Sequence, residues 1–260
     1  MASLSKAPLI EVIFEMRWGS VPASVKGGRQ EINFEFPVEE ADMLPGRFQT
    51  ELRSLGFNTV ERPNQMQQMP HVVMHRFREA PNKWPCYQLG LGIFTANQIN
   101  DGYKWETFED TVIKGLTALK SVHETGLSGL QNVGIELRYQ DGFVLADGES
   151  HASFLDKKLN IQFDVSKDFA DSEKFGGGVE IQKLVFKSEV KQPLGIIIVT
   201  LDPGFINGKS GFIMNTIVRS SITEQEKILN RLKTWLNEAH EIQRHAFATL
   251  IDPTYAKEFE

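Results

Sequence analysis

Two stretches bring metal- or phosphate-binding residue types close together, and both have the wrong spacing. His240-Glu241 is followed by His245. A helical zinc site sets its histidines four residues apart so that both reach one face. These two are separated by about 140° on a helix of 3.6 residues per turn. No metal site is predicted, and His240 stands alone as a polar contact. In Gly204-Phe205-Ile206-Asn207-Gly208-Lys209-Ser210, three residues separate the glycines where a phosphate loop has four, and strand-like GFIMNTIVRS follows instead of a helix. Asn207-Gly208 predicts a hairpin turn. Leu89-Gly90-Leu91-Gly92 lacks the third glycine and the helix of a dinucleotide fingerprint. Cys86 is the only cysteine, which excludes an intramolecular disulfide and a cysteine-ligated zinc site. Nothing near it in sequence would activate a thiolate, so a small buried residue is expected. Glu39-Glu40 and Asp171 with Glu173 read as solvated acids, and Tyr103 and Trp105 as packing under a helix. No catalytic residue, cofactor or metal ligand is assigned, and the reading leans away from an enzyme.

The remaining chemistry lies in two matching segments. Val12-Ile13-Phe14-Glu15-Met16-Arg17-Trp18 returns as Val133-Gly134-Ile135-Glu136-Leu137-Arg138-Tyr139. Both alternate as strands do, with an apolar face opposite a Glu/Arg face. That pattern suggests a sheet packed on one side only. Antiparallel pairing of the two would set Glu15 against Arg138 and Arg17 against Glu136, each cross-strand pair contributing about 0.2–1 kcal/mol. Glu15, Arg17, Glu136, Arg138 and His240 are therefore the candidate binding residues.

The elements that must position them follow from periodicity. Pro8 to Trp18 is the first predicted strand, Gly19 to Gly28 is turn-rich, and Gln30 to Phe36 alternates again. A helix is predicted over Glu39 to Leu55, interrupted by Pro45-Gly46 and stopped at Gly56, then a short strand over Phe57 to Glu61. Strands are expected at His71 to Arg78 and Tyr87 to Ile99. Tyr103 to Val122 follows as a helix, with Trp105, Phe108, Val112, Leu116 and Leu119 recurring at helical spacing. In the second half, Leu130 to Gln140 is a strand ended by an Asp141-Gly142 turn. Ser150 to Leu155 reads as a short helix, Leu159 to Val165 as a strand, and Ser166 to Gly178 as a mobile loop. Further strands are expected at Val179 to Ser188, Leu194 to Leu201 and Phe212 to Arg219. Thr223 with Glu226 gives a capping box for a final helix reaching Leu250.

The expected class is α+β, in two similar halves, 1–124 and 125–260, each an antiparallel sheet with a long helix, joined as one pseudo-twofold unit. The element order resembles a duplicated strand–helix–multistrand–helix unit, such as the saddle of the TATA-binding protein or a helix-grip fold. Fold alone does not carry function.

The 260 residues are 41% hydrophobic and 24% charged, an ordinary globular balance, with net charge −6 and pI about 5.6. No basic stripe is evident, which places nucleic acid behind other partners. No apolar run is long enough to span a bilayer, and the N-terminus lacks a long apolar region of the signal-peptide kind, so a cytoplasmic location is expected.

KAPLIEVIFEMRW, VGIELRY and WLNEAHEIQRHAFATLIDPTYAKEF together resemble a sporadically distributed, uncharacterised bacterial family of about this length. That family shares an APLxEVxFE-like start, a central LRY strand and a C-terminal HE…F…I helix. The chain departs from it after Tyr139, where Gln140-Asp141-Gly142 stands in place of the family's frequent Asn. The resemblance brings no activity with it. It implies mobile or accessory genes, including defence or toxin–antitoxin contexts. The expected function is a non-catalytic, protein-binding accessory subunit of a multi-component system, with a partner encoded nearby. The alternative is a small-ligand-binding protein or enzyme with a pocket between sheet and long helices. A nucleic-acid-binding saddle comes third.

Overall fold

Alternation sends Val12, Phe14 and Met16 of β1 (Leu9–Arg17) to one face, all fully buried. Ile135 and Leu137 of β8 (Val133–Val144) do the same. Each such side chain is worth about 1.5–3 kcal/mol when removed from water. The structure, a computed structural model, describes residues 7–26, 29–63, 69–124, 126–127, 130, 132–162, 165–166, 169, 174, 181–222 and 228–259.

The first half adds the hairpin β2 (Ser20–Lys26) and β3 (Arg29–Phe34), which pair apart from the main sheet, then α1 (Val38–Asp42) and α2 (Leu44–Ser54). It continues with β4 (Thr59–Glu61), β5 (Val73–Arg78), β6 (Cys86–Gly90), β7 (Ile93–Ile99) and α3 (Trp105–Val122). After β8 come α4 (His151–Lys158), β9 (Leu184–Val190), β10 (Gly195–Ile206), β11 (Lys209–Ile222), α5 (Ile228–Leu250) and α6 (Pro253–Ala256). The nine-stranded sheet has the order β4-β5-β6-β7-β1-β8-β11-β10-β9 and is antiparallel throughout. First-half strands thus form one side of the sheet and second-half strands the other, and β1 and β8 join them.

The helices supply the buried partners of the apolar face. One core cluster joins Phe14, Phe94 and Leu137 to Phe48 of α2, Leu116 of α3 and Leu236 of α5. A second joins Phe143, Phe212 and Met214 to Phe154 of α4 and Tyr255 of α6. Gly115 lets α3 lie close on β6, because a Cβ there would fall 2.4 Å from the Tyr87 ring. Asn207 and Gly208 both take positive φ, 51° and 78°, and form the predicted hairpin turn between β10 and β11.

Several expectations are corrected. β1 and β8 do pair antiparallel, but Glu15 faces Glu136 and Arg17 faces Gly134. The proposed cross-strand Glu15–Arg138 and Arg17–Glu136 pairs do not form. Each glutamate is met instead by the arginine next along its own face, Arg17 on Glu15 and Arg138 on Glu136. A long arginine stem spans that i, i+2 step without help from a second strand. β8 runs through Asp141-Gly142 to Val144 without turning, because β11 pairs with it along its whole length. Tyr87 to Ile99 is two strands with a tight turn at Leu91-Gly92, where Gly92 has φ 68°. Ser20–Lys26 is a strand and not a bare turn. α2 begins before Pro45, because proline in the first helical turn lacks only an amide hydrogen that has no partner there. Residues 159–162 are not strand. The capping box at Thr223 and Glu226, and most of the predicted loop from Ser166 to Gly178, lie outside the described residues. Among the described residues no helix is long and apolar enough to cross a membrane.

Candidate functional site

On the face of the sheet away from the helices, the two central strands bring Glu15 and Glu136 directly opposite each other. Like charges in that position repel. Both are nonetheless buried, with 8% and 4% of their surface exposed. Three guanidiniums make this tenable. Arg17 Nε lies 2.5 Å from Glu15 Oε1. Arg138 donates to Glu136 Oε1, and Arg219 of β11 donates to Glu136 Oε2 from Nε at 2.9 Å and from Nη2 at 2.7 Å. Burial acts to raise the Glu136 pKa, but Arg138 and Arg219 outweigh it and hold the carboxyl below its ordinary range.

Between these groups lies an open pocket of about 170 Å³, lined by Glu15, Arg17, Gly134, Ile135, Glu136 and Arg219. A Cβ at Gly134 would meet nothing within 4 Å, so the glycine leaves the floor clear. Arg17 and Arg219 stand on the strands either side of β8, and their side chains are 46% and 47% exposed. Their glutamates fix their direction while leaving half of each cation in solvent. One pleat along, half-buried Ile13 and Ile217 flank Arg138, with Ile198 beyond.

Four of the five predicted residues therefore meet: Glu15, Arg17, Glu136 and Arg138. His240 does not join them. It projects from α5 onto the helix-covered face, where its Nδ1 lies 2.8 Å from the Tyr139 hydroxyl. Its ring stacks on Trp105, with centroids 4.0 Å apart and planes 6° apart. The Tyr139 hydroxyl lies 2.5 Å from that of Tyr103. Burial, and then the nearby Arg244, push the His240 pKa down to about 4. A neutral imidazole can accept a hydrogen bond from the Tyr139 hydroxyl at Nδ1, and a hydrogen-bonded chain Tyr103–Tyr139–His240 results.

Sequence reasoning missed two residues of consequence. Arg219 carries no signal in its own stretch, since only the β8–β11 register brings it to Glu136. Asp141 was hidden by its apparent turn. It is 5% exposed, two residues after Tyr139 on the same face, and burial pushes its carboxyl up to about 7. Cys86 is fully buried as expected, and burial raises its thiol to about 12, which removes it as a nucleophile. Among the described residues no group of three or more His, Cys, Asp or Glu could hold a metal ion. No family model, curated protein or solved structure matches the chain.

Proposed function

We propose that this protein is a non-catalytic binding subunit, and that the open face of its sheet docks an acidic segment of a partner protein over Gly134. The observation that supports this reading is the pair of half-exposed arginines, Arg17 and Arg219, held apart by buried glutamates across an open pocket. A guanidinium fixed by one carboxylate keeps donors for a second, and planar two-donor recognition of carboxylates is what arginine does best. The half-buried isoleucines beside it supply the apolar contact that a protein interface adds to such an anchor. In this reading the chain is an accessory component of a bacterial multi-component system. Its halves, 1–124 and 125–260, would descend from one copied unit. In support, β1 pairs with β7, the last strand of its half, as β8 pairs with β11, the last strand of the other.

The test is copurification from a bacterial host at native expression, comparing the wild type with Gly134→Leu and with Arg17→Ala. Gly134→Leu fills the pocket without removing an ion pair. A stoichiometric partner should copurify with the wild type, and its recovery should drop at least tenfold with both variants while each keeps its thermal unfolding transition. Absence of any partner, or equal recovery with the folded variants, overturns the reading.

A further inference from the structure

The helix-covered face holds a second polar group that the docking surface does not use. Tyr139 and Asp141 follow one another on the inward face of β8, at the seam between the two apolar clusters. Leu137 before them belongs to the first cluster and Phe143 after them to the second. Opposite Asp141 the β1 ladder is interrupted by a bulge between Leu9 and Glu11. Bulges of this kind re-aim side chains beside functional sites.

Asp141 is 95% buried, being 5% exposed, and among the described residues no hydrogen bond or ion pair reaches its carboxyl. On the same face two buried polar atoms, Gln98 Oε1 and Thr216 Oγ1, lack partners among the described residues. Gln98 faces Val12, Val12 faces Tyr139 and Tyr139 faces Thr216, so these groups form one row across four strands. Gln98 Oε1 accepts and the Thr216 hydroxyl can accept or donate, and an unpartnered buried polar atom is costly. The rings of Tyr103 and Tyr139 meet at 86° with centroids 6.1 Å apart and make a corner of aromatic faces. Tyr139 lies on a central strand beneath α3 and α5, yet it is only half-buried, as are Tyr103, Trp105 and His240. Solvent therefore reaches the sheet at this point.

We propose that this place is a binding site for a small organic cation, a primary or N-methylated amine, with the Asp141 carboxylate as its counter-ion and the Tyr103 and Tyr139 rings as its walls. The carboxylate supplies the charge and accepts the N–H groups of the cation, and aromatic faces within about 6 Å stabilise an ammonium. A primary amine or a methylated one makes use of different parts of this set, the former of the carboxylate oxygens and the latter of the rings. The charged groups around it are Glu106 on α3 and Glu241 and Arg244 on α5. Glu106 and Arg244 act on His240, and Arg244 acts on Tyr139 as well. Arg244 is turned to Glu241 at 2.8 Å, and it opposes a cation.

The test uses n-butylammonium and tetramethylammonium chlorides as probes, with neutral 1-pentanol as the control, followed by NMR at the Trp105 indole N–H and the His240 ring. Saturable shifts are expected with the ammonium probes and not with the alcohol. Asp141→Asn should weaken binding at least tenfold, Arg244→Ala should tighten it, and affinity should rise with pH as Asp141 ionises. Neither substitution removes a core apolar group, so both variants should fold. If neither ammonium shifts these signals saturably, if pentanol does so equally, or if Asp141→Asn binds as well as the wild type, the site is not a cation site. The docking reading stands or falls separately, since none of these residues lies on the open face.

Discussion

Glu136 and Asp141 are acids on one strand, both almost out of water, and they lie on opposite faces with opposite surroundings. Glu136 accepts from two arginines and is held below the ordinary carboxylate range. Asp141 has no such partner among the described residues, and burial lifts it to about 7. The difference shows that burial alone does not decide how a carboxylate behaves. Counter-charge within hydrogen-bonding reach does. On the open face the charges complete one another and leave about half of the Arg17 and Arg219 side chains in solvent. On the inner face the carboxyl has no counter-charge within hydrogen-bonding reach among the described residues.

The largest effect should come from removing the compensated acid. Glu136→Ala leaves Arg138 and Arg219 facing Glu15 alone, and Arg138 Nε already has no partner. Breaking a buried pair in this way costs about 3–5 kcal/mol, and the exposed half of Arg219 puts the expected loss at the lower end. Urea denaturation at pH 7 measures it. A loss below about 0.5 kcal/mol, the usual range for surface changes, would mean that the central charges are no more than surface ion pairs.

Asp141→Asn should act in the opposite sense, and only above a certain pH. The folded-state pKa of Asp141 is raised, from an ordinary 3.8 to about 7. The folded protein therefore holds this proton more tightly than the unfolded chain, and stability falls as pH rises through that interval. At pH 4 the wild type carries little of this penalty, and above pH 7 it carries all of it. The shift bounds the effect at about 4 kcal/mol, and local relaxation around the carboxyl should reduce it to about 2 kcal/mol. Denaturation of both proteins from pH 4 to 8 should show the stability of Asp141→Asn relative to the wild type rising by that amount. Parallel curves would place Asp141 in contact with water or with a counter-charge, and would erase the contrast with Glu136.

This contrast was half legible in the sequence. The adjacency and direction of β1 and β8 followed from two matching patterns, and so did the placing of their glutamates and arginines on the uncovered face. Their register did not, because Arg17 and Arg138 reach glutamates on their own strands and leave no cross-strand charge pairing to set it. Arg219 was invisible because only the β8–β11 register brings it to Glu136. Asp141 was misread because Asp-Gly is a strong turn signal, whereas here Gly142 is kept small by Ile10, whose Cδ1 would lie 2.9 Å from a Cβ. Turn chemistry and close approach call for the same residue, and only the neighbouring strands distinguish them. His240 was named as a candidate polar contact, but its side of the sheet depends on the helix packing.

A smaller effect is expected where the inner face does satisfy its polar groups. Tyr139→Phe removes the hydroxyl between Tyr103 and His240 and should cost about 1 kcal/mol, the net worth of such bonds. The His240 ring signal should titrate near pH 4 in the wild type. A midpoint near 6.5 would show a solvated imidazole and count against the buried Tyr139–His240 hydrogen bond.

The smallest effect should come from Gly134→Ala. Its Cβ meets nothing within 4 Å, and no positive φ requires glycine there. Glycine within a strand costs about 0.5–1 kcal/mol relative to alanine, so the variant should be as stable as the wild type or more stable by about 0.5 kcal/mol. A methyl group in the pocket floor nonetheless narrows the space between Arg17 and Arg219. If the open face evolved for folding alone, nothing argues against alanine at this position. If it serves a partner, the same substitution should leave the thermal transition in place and weaken binding. Loss of stability with Gly134→Ala would instead show that the floor is filled by the protein itself, and the two faces of β8 would then differ in charge but not in use.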